Sequence, residues 1–212
     1  MGAIKNRCVI ICASPTANRD HILTKITDDD FIICADGGAD WLSGSGITPD
    51  MIIGDMDSSA QYKDFSDSEM IVLNTMKDDT DTMHCVVKAL EMGYNEFLLL
   101  GATGGRTDHT LCNLSVLLYL KNHHAHGTIS DEYSEITILF NGTNKITDIK
   151  NKTVSVLPFA CSQAALTYSG LLYPMDHKTV TAEFPFTISN KALEDTVYIT
   201  VHSGTALLII SE

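Results

Sequence analysis

The chain has 212 residues, with 27 acidic and 14 basic side chains that give a formal net charge of −13. This charge argues against a nucleic-acid or anionic-membrane partner, because no basic stripe is present to meet phosphates. No apolar stretch approaches the roughly 20 residues of a membrane-spanning helix, so no membrane partner is expected. The length allows one sizeable domain or two small ones.

The cysteines indicate the redox state in which the protein works. The six are Cys8, Cys12, Cys34, Cys85, Cys112 and Cys161. They form no Cys-x-x-Cys pair, and most lie in apolar runs, where a thiol behaves as a small hydrophobic group. This usage predicts reduced thiols in a cytoplasmic protein rather than a disulfide framework.

Short apolar runs alternate with helical patterns in the first half of the chain. Buried strands are predicted at residues 8–12, 31–35, 51–53, 70–73 and 97–100. A polar loop at 14–18 follows the first strand, and a short helix at 39–43 follows the second. Strands that alternate with helices predict an open, parallel α/β sheet.

Two longer helices are predicted in the same half. Asp79 or Thr80 is the candidate N-cap of the first, and Gly93 closes it. The two apolar faces are predicted from core spacing. They carry Met83, Val86, Val87 and Leu90 in the first helix, and Leu111, Leu114, Leu117 and Leu118 in the second.

The pattern changes after the second helix. The histidine-rich segment 123–127 is interpreted as a surface loop, because no second ligand cluster accompanies it to suggest a metal site. Further strands are predicted at 154–156, 164–168, 180–184, 197–201 and 206–210, with no helix between them. Turns punctuate these short runs, and residues 197–201 alternate with period two. We therefore predict an open parallel-sheet α/β domain over residues 1–128 and an all-β sandwich or barrel over 129–212.

Aspartates follow four predicted strands of the first domain. They are Asp36, Asp55 with Asp57, Asp78 to Asp81, and Asp108. Ligands of an open α/β sheet bind beyond the carboxyl ends of its strands, so these side chains converge on the edge where a ligand is expected. Neighbouring carboxylates repel each other, and a divalent cation removes that cost. We interpret the group as a metal-phosphate centre; for residues 52–58 alone, a polar loop with N-capping aspartates is the alternative.

A glycine-rich turn at residues 101–106 complements the carboxylates. Its glycines let backbone N–H groups approach an anion at the N-terminus of the following helix. Arg106 is placed to clamp a phosphate oxygen. The turn matches neither the P-loop nor the dinucleotide fingerprint. Two alternatives stay open: a surface ion pair of Arg106 with Asp108, and a capping or packing role for His109.

Four motifs of the first domain, in order and rough spacing, resemble the thiamine pyrophosphokinase family. They are residues 35–39, 49–50 with 53–58, 77–81, and 104–109 with Asn113. The second half resembles the thiamine-binding domain of that family. Its matching segments are residues 154–158, 170–173, 189–190 and 204–208. The likeness therefore covers nearly the whole chain.

The resemblance implies an enzyme that transfers the diphosphate of ATP to the hydroxyl group of thiamine, giving thiamine diphosphate and AMP. It implies Mg²⁺ as cofactor and a homodimer with its sites between subunits. The implied catalytic residues are Asp57, Asp81, Arg106 and Asp108, and the implied metal ligands are Asp55, Asp57 and Asp81. The implied ATP-binding residues are Asp36, Gly37, Gly104, Gly105, Arg106 and Asn113. Asp57 or Asp81 is the candidate acceptor of the alcohol proton.

The thiamine pocket is implied less completely. Ser189 and Asn190 are the implied thiamine contacts, although an ordinary turn between strands is the alternative there. Animal members of the family carry a late tryptophan that stacks on thiamine, whereas residues 207–209 here are Leu-Leu-Ile, and Trp41 is interpreted as a packing residue. Two other functions stay open: a diphosphokinase of another heterocyclic alcohol, such as a pterin, and a non-enzymatic module that binds nucleotide or thiamine.

Overall fold

The computed structural model describes residues 7–55, 62–74 and 79–212. The chain divides into two compact units, Met1–Glu132 and Tyr133–Glu212. The division lies a few residues after the predicted boundary at 128/129. The predicted boundary falls inside the last strand of the first unit, His126–Ser130. No helix of the described ranges is long and apolar enough to cross a membrane.

The first unit is built on a parallel sheet. Its strands in the described residues are β1 (Arg7–Ile11), β2 (Asp30–Ala35), β3 (Met51–Gly54), β4 (Glu69–Val72), β5 (Glu96–Leu100) and β6 (His126–Ser130). They lie side by side in the order β6-β5-β1-β2-β3-β4, with every neighbouring pair parallel. The inner strands are runs of buried apolar residues, as expected of a sheet covered on both faces. The predicted strands agree with β1 to β5 to within one residue at each end.

The prediction of a loop over residues 123–127 is wrong at its end, because β6 begins at His126. This strand, His-Gly-Thr-Ile-Ser, has a single large aliphatic side chain and so gives no apolar run. Its place is fixed by pairing with β5, in register from Glu96 opposite His126 to Leu100 opposite Ser130.

Helices connect these strands. In the described residues they are α1 (Arg19–Lys25), α2 (Asp81–Glu91) and α3 (Thr107–Asn122), with 3-10 helices at Asp36–Leu42 and Tyr62–Phe65. The side chains of Asn18 and Thr80 accept backbone N–H groups in the first turns of α1 and α2, as N-caps do. The short helix predicted at 39–43 is part of the first 3-10 helix, and α1 was not predicted.

Both long helices bury a different face from the one predicted, because small and polar side chains are part of the buried face. The residues they bury are Thr82, Cys85, Val86 and Ala89 in α2, and Asn113, Val116, Leu117 and Leu120 in α3. Leu111, predicted in the core, is exposed. Apolar spacing misplaced the faces because Thr82, Cys85 and Ala89 let the helix lie close to the sheet, while Asn113 is buried by a hydrogen bond to the Ala102 carbonyl.

The second unit is an all-β sandwich, as predicted. Its strands are β7 (Ser134–Leu139), β8 (Gly142–Ile146), β9 (Thr153–Pro158), β10 (Gln163–Ser169), β11 (Met175–Thr181), β12 (Asn190–Lys191), β13 (Val197–Ser203) and β14 (Ala206–Ser211). Antiparallel strands run in the orders β12-β9-β14-β7 and β11-β10-β13-β8, and both sets contribute to one apolar core. The strand predicted at 180–184 is wrong beyond Thr181, where β11 ends in a turn.

Candidate active site

A cavity of about 810 Å³ lies at the carboxyl ends of β1, β2 and β5. Strands β2 to β4 extend the sheet on one side of β1, and β5 and β6 extend it on the other. Chain order therefore reverses at β1, and ligands of open α/β sheets bind in the crevice beyond such a point. The cavity is lined by the segments that leave these strands and by the start of α2. We take it as the candidate active site.

The cavity brings together part of the predicted set. The predicted residues on its wall are Asp36, Gly37, Asp81, Gly104, Arg106 and Asn113. Asp55, Gly105 and Asp108 are not part of that wall within the described residues. Asp57 and Asp78 lie outside the described residues, so the proposed pair of Asp55 with Asp57 stays a prediction.

Close backbone approach positions Asp36 beside the end of β3. Asp36 follows β2 directly and has a φ of 44°, a left-handed conformation that aspartate tolerates better than most residues. A Cβ at Gly54 would lie 2.7 Å from the Asp36 Cβ, so only glycine fits at the end of β3. Asp55, the next residue, is half-buried. The exits of β2 and β3 thus bring two carboxylate-bearing residues to the same edge of the sheet.

The glycine-rich turn is held in place by side chains behind it. The Asn113 amide, buried in α3, donates to the Ala102 carbonyl at 2.8 Å, and the Thr103 hydroxyl donates to Asp131 at 2.7 Å. Gly101 has a φ of 62°, and a Cβ there would lie 2.6 Å from the Cys12 carbonyl oxygen. The turn therefore packs directly against the end of β1, and Asn113 supports it from below while also lining the cavity.

Arg106 and Asp108 form the ion pair that the sequence left open as an alternative. The guanidinium donates to the carboxylate through Nη2 at 2.7 Å and Nε at 3.1 Å, and the side chains are 69% and 66% exposed. The hydrogen bond from Arg106 lowers the pKa of Asp108 to about 2, so this carboxylate is a weak base at neutral pH. Exposed pairs contribute little to stability, so Arg106 is free to exchange Asp108 for an anion in the cavity.

The thiol on the cavity wall is not a nucleophile. Burial raises the pKa of Cys12 to about 11, although its hydrogen bond with the Thr82 hydroxyl at 3.4 Å acts in the opposite direction. The protonated thiol is unreactive at neutral pH. The wall therefore offers carboxylates, backbone N–H groups and a guanidinium, which suit charge neutralisation and positioning rather than covalent catalysis.

Sequence reasoning missed some residues of the wall. Arg19 lies on α1, and its guanidinium donates to the carbonyls of Trp41 at 3.0 Å and Ser43 at 2.7 Å. Trp41 packs against the core, as predicted, and also lines the cavity. His109 is exposed on the cavity rim. The one sequence signal that could have placed Arg19 is the helix at 18–25, in which Asn18 is the N-cap and Arg19 the first helical residue.

The predicted thiamine contacts lie in the second unit. Asn190 is buried and exchanges two hydrogen bonds with the Tyr173 backbone: its Oδ1 accepts from the N–H at 3.0 Å, and its Nδ2 donates to the carbonyl at 2.9 Å. Ser189 is exposed, with a φ of 56°, and its N–H donates to the Ser155 hydroxyl at 3.0 Å. The Asn190 side chain thus holds the segment around Tyr173.

Together these features define a two-unit α/β protein with a candidate small-molecule site at the switch point of its parallel sheet. Residues 22–129 match the family described as thiamin pyrophosphokinase, catalytic domain, and residues 137–206 match thiamin pyrophosphokinase, vitamin B1 binding domain. The chain belongs to the thiamin pyrophosphokinase family.

Relatives and solved structures are similar to this chain over most of its length. Thiamine pyrophosphokinase of Bacillus subtilis (strain 168) is 28% identical over 211 residues, which span 97% of this chain and 99% of the relative. Thiamine pyrophosphokinase 1 of Oryza sativa subsp. japonica is 28% identical over 199 residues, spanning 81% and 75%. The crystal structure of the Bacillus subtilis thiamine pyrophosphokinase has a TM-score of 0.87 at 24% identity, covering 97% of this chain and 98% of the other, so the fold is shared.

Proposed function

We propose that this chain is a thiamine pyrophosphokinase, which transfers the diphosphate of ATP to the hydroxyl group of thiamine. One observation carries the proposal: the switch-point cavity joins Asp36 and Asp81 to a glycine-rich turn and Arg106, within the catalytic half of a chain that matches both family domains. Carboxylates beside anion-binding groups suit a metal-bound polyphosphate. The attacking alcohol then needs positioning and charge neutralisation more than covalent help.

We further propose Mg²⁺ as the cofactor. Among the described residues, no three His, Cys, Asp or Glu side chains are grouped to hold a metal by themselves. Mg²⁺ in nucleotide sites usually takes only one or two carboxylates, with substrate phosphates and water as its other ligands, so the donors on the wall fit. Asp36 and Asp81 on the wall would hold it, and Asp55 and Asp57 remain the other proposed ligands. Bound there, the ion would neutralise charge on the phosphate oxygens.

Other residues of the chain are proposed to bind the phosphates and to accept the proton of the alcohol. The turn at 101–106 and the start of α3 present backbone N–H groups to the phosphates, and Arg106 neutralises the transferred group. Asp81, at the start of α2, is half-buried on the wall and remains a candidate acceptor of the alcohol proton, as does Asp57. Asp108, with its low pKa, is the poorer base.

Product formation from thiamine tests the activity. Purified protein with ATP and Mg²⁺ is expected to convert thiamine to thiamine diphosphate, and to leave a pterin alcohol at the same concentration unchanged. The substrates are compared by chromatography, and each ligand is also titrated calorimetrically without ATP. Turnover of the pterin alcohol in preference to thiamine would favour the other diphosphokinase, and thiamine binding without turnover would favour a non-enzymatic module.

We also propose that the protein is a cytoplasmic homodimer. The free state of all six cysteines, four of them buried, supports a reducing compartment. Large apolar side chains of the second unit are exposed and suit burial against a second copy. They include Leu172, Tyr173, Phe184, Phe186, Ile188 and Leu193.

Light scattering tests the assembly. At micromolar concentration the protein is expected to have twice the mass of one chain, and Phe184→Ser is expected to shift it toward the monomer because Phe184 is 71% exposed. The matched control is Val72→Ser in the first unit, where Val72 is 69% exposed on the edge strand β4. A fully active monomeric wild type would contradict the proposal.

A further inference from the structure

Arg19 places a second guanidinium on the wall of the switch-point cavity. Among the described residues of that wall, Arg19 and Arg106 are the two that carry a permanent positive charge. Arg19 is half-buried, and its Nε and Nη2 donate to the Trp41 and Ser43 carbonyls at 3.0 Å and 2.7 Å. Both carbonyls lie at the end of the 3-10 helix that follows β2. The guanidinium is therefore held in position by the backbone.

The positive charge of Arg19 is not neutralised by a carboxylate. The ion pairs of the described residues do not include Arg19, whereas Arg106 is paired with Asp108. Carbonyl groups orient a guanidinium but carry no net charge. A guanidinium has five N–H groups, and the bonds to the two carbonyls use only Nε and Nη2. The N–H groups of Nη1 donate to no described residue, so they remain available to an anion in the cavity.

The place of Arg19 along the sheet indicates which part of a bound nucleotide it meets. The turn at 101–106 leaves β5, the carbonyls that hold Arg19 follow β2, and β1 lies between these two strands. Neighbouring strands are about 4.8 Å apart, so the two strand exits are separated by roughly 10 Å. Because the turn is proposed to hold the transferred phosphates, the rest of the nucleotide extends across β1 toward Arg19. Trp41 also lines the cavity there and offers an indole on which a nucleobase can stack.

We propose that Arg19 is a catalytic residue that binds the α-phosphate of ATP and stabilises the negative charge on AMP as it leaves. The assignment rests on the proposed function, which supplies ATP and the transfer of its diphosphate. In that step the alcohol oxygen bonds to the β-phosphorus, and the bond from the β-phosphorus to the α,β-bridging oxygen breaks. The bridging oxygen keeps the electron pair and leaves as part of AMP, while the alcohol proton passes to Asp81 or Asp57. A guanidinium fixed in advance stabilises this growing charge without having to reorganise.

Arg19→Gln tests the contact because it removes the positive charge. Its dissociation constant for AMP, measured by calorimetry with Mg²⁺ present, is expected to rise roughly 10- to 100-fold, since a hydrogen bond to a charged group is lost. Its constant for adenosine, which lacks the phosphate, is expected to stay at the wild-type value. The matched control is Lys25→Gln, which removes a basic residue in the last turn of the same helix. Lys25 lies outside the described cavity wall, so this variant should change neither constant.

The adenosine measurement separates a phosphate contact from a purely structural role. If Arg19 served only to hold the 3-10 helix, Arg19→Gln would displace Trp41 and weaken adenosine and AMP equally, which would overturn the assignment. Arg19→Lys keeps the charge without the planar set of donors, so its AMP constant should lie between those of the wild type and Arg19→Gln. If Arg19→Gln does not fold, Arg19→Lys provides the test: its AMP constant should rise more than its adenosine constant, and an equal rise would overturn the assignment.

Pyrophosphate, which represents the transferred group, distinguishes the two arginines. Arg106→Ala should weaken the binding of pyrophosphate more than that of AMP, and Arg19→Gln should do the reverse and also lower kcat. Weaker pyrophosphate binding in Arg19→Gln with an unchanged AMP constant would place Arg19 at the transferred group and overturn the assignment. An active wild type whose AMP constant is unchanged by Arg19→Gln would overturn the role of Arg19 alone. Wild-type protein that forms no AMP from ATP and thiamine would overturn the proposed function.

Discussion

Asp81→Asn is expected to reduce the formation of thiamine diphosphate by roughly 10²- to 10⁴-fold, the range found when a positioned acid or base is removed. Asp81 is the first residue of α2 and lies on the wall of the switch-point cavity. Asparagine keeps the shape of the side chain but removes the charge that would hold Mg²⁺ or accept the alcohol proton. Initial rates at saturating ATP and Mg²⁺ measure the effect.

Asp20→Asn is the matched control. Asp20 is also an acidic residue in the first turn of a helix, α1, but it is exposed and outside the described cavity wall. Both substitutions remove a favourable interaction with a helix dipole, worth about 0.3–1 kcal/mol, so both should lower the melting temperature slightly. Only Asp81→Asn should lose activity. Near wild-type turnover in Asp81→Asn would remove Asp81 from the site and leave Asp57 as the candidate.

The parallel sheet was predictable because its inner strands are fully buried. Apolar runs such as Met51–Gly54 indicate buried strands by themselves, and their alternation with helices indicates that the sheet is parallel. The sixth strand was not predictable in this way, because His126–Ser130 is held by pairing with β5 rather than by its own apolar pattern. The buried face of α2 was misplaced because it includes the small residues Thr82, Cys85 and Ala89, which apolar spacing ignores. The buried face of α3 was misplaced because it includes Asn113, a polar residue buried through its hydrogen bond to the Ala102 carbonyl.

The candidate site was predictable where residues directly follow strands. Asp36 and the turn at 101–106 come to one edge because parallel strands end there. The roles of side chains that depend on tertiary contacts were not predictable. The Asn113 side chain hydrogen-bonds to the Ala102 carbonyl, 11 residues away, and the Asn190 side chain to the Tyr173 backbone, 17 residues away. The sequence pattern does not reveal either contact.

Equal amounts of AMP and thiamine diphosphate are the expected products, with no thiamine monophosphate as an intermediate. Carboxylates and Mg²⁺ suit phosphoryl and diphosphoryl transfer alike, so Asp36 and Asp81 do not decide between them. Attack on the γ-phosphorus releases ADP, whereas attack on the β-phosphorus releases AMP. In β attack the γ-phosphate leaves with the transferred group, and its charge needs a partner beyond the metal. The turn at 101–106 and the start of α3 are the candidates for this role.

Arg106→Ala tests that division of work and is expected to lower kcat more than it raises the KM for thiamine, because the lost contact is with the transferred phosphates. Arg106 is highly exposed and its pair with Asp108 contributes little to stability, so the melting temperature should stay unchanged. Arg106→Lys keeps the positive charge but cannot make bidentate hydrogen bonds, so its kcat should lie between those of the wild type and Arg106→Ala. Chromatography that finds ADP with thiamine monophosphate would overturn β attack. A raised thiamine KM with unchanged kcat would instead place Arg106 at the alcohol, away from the phosphates.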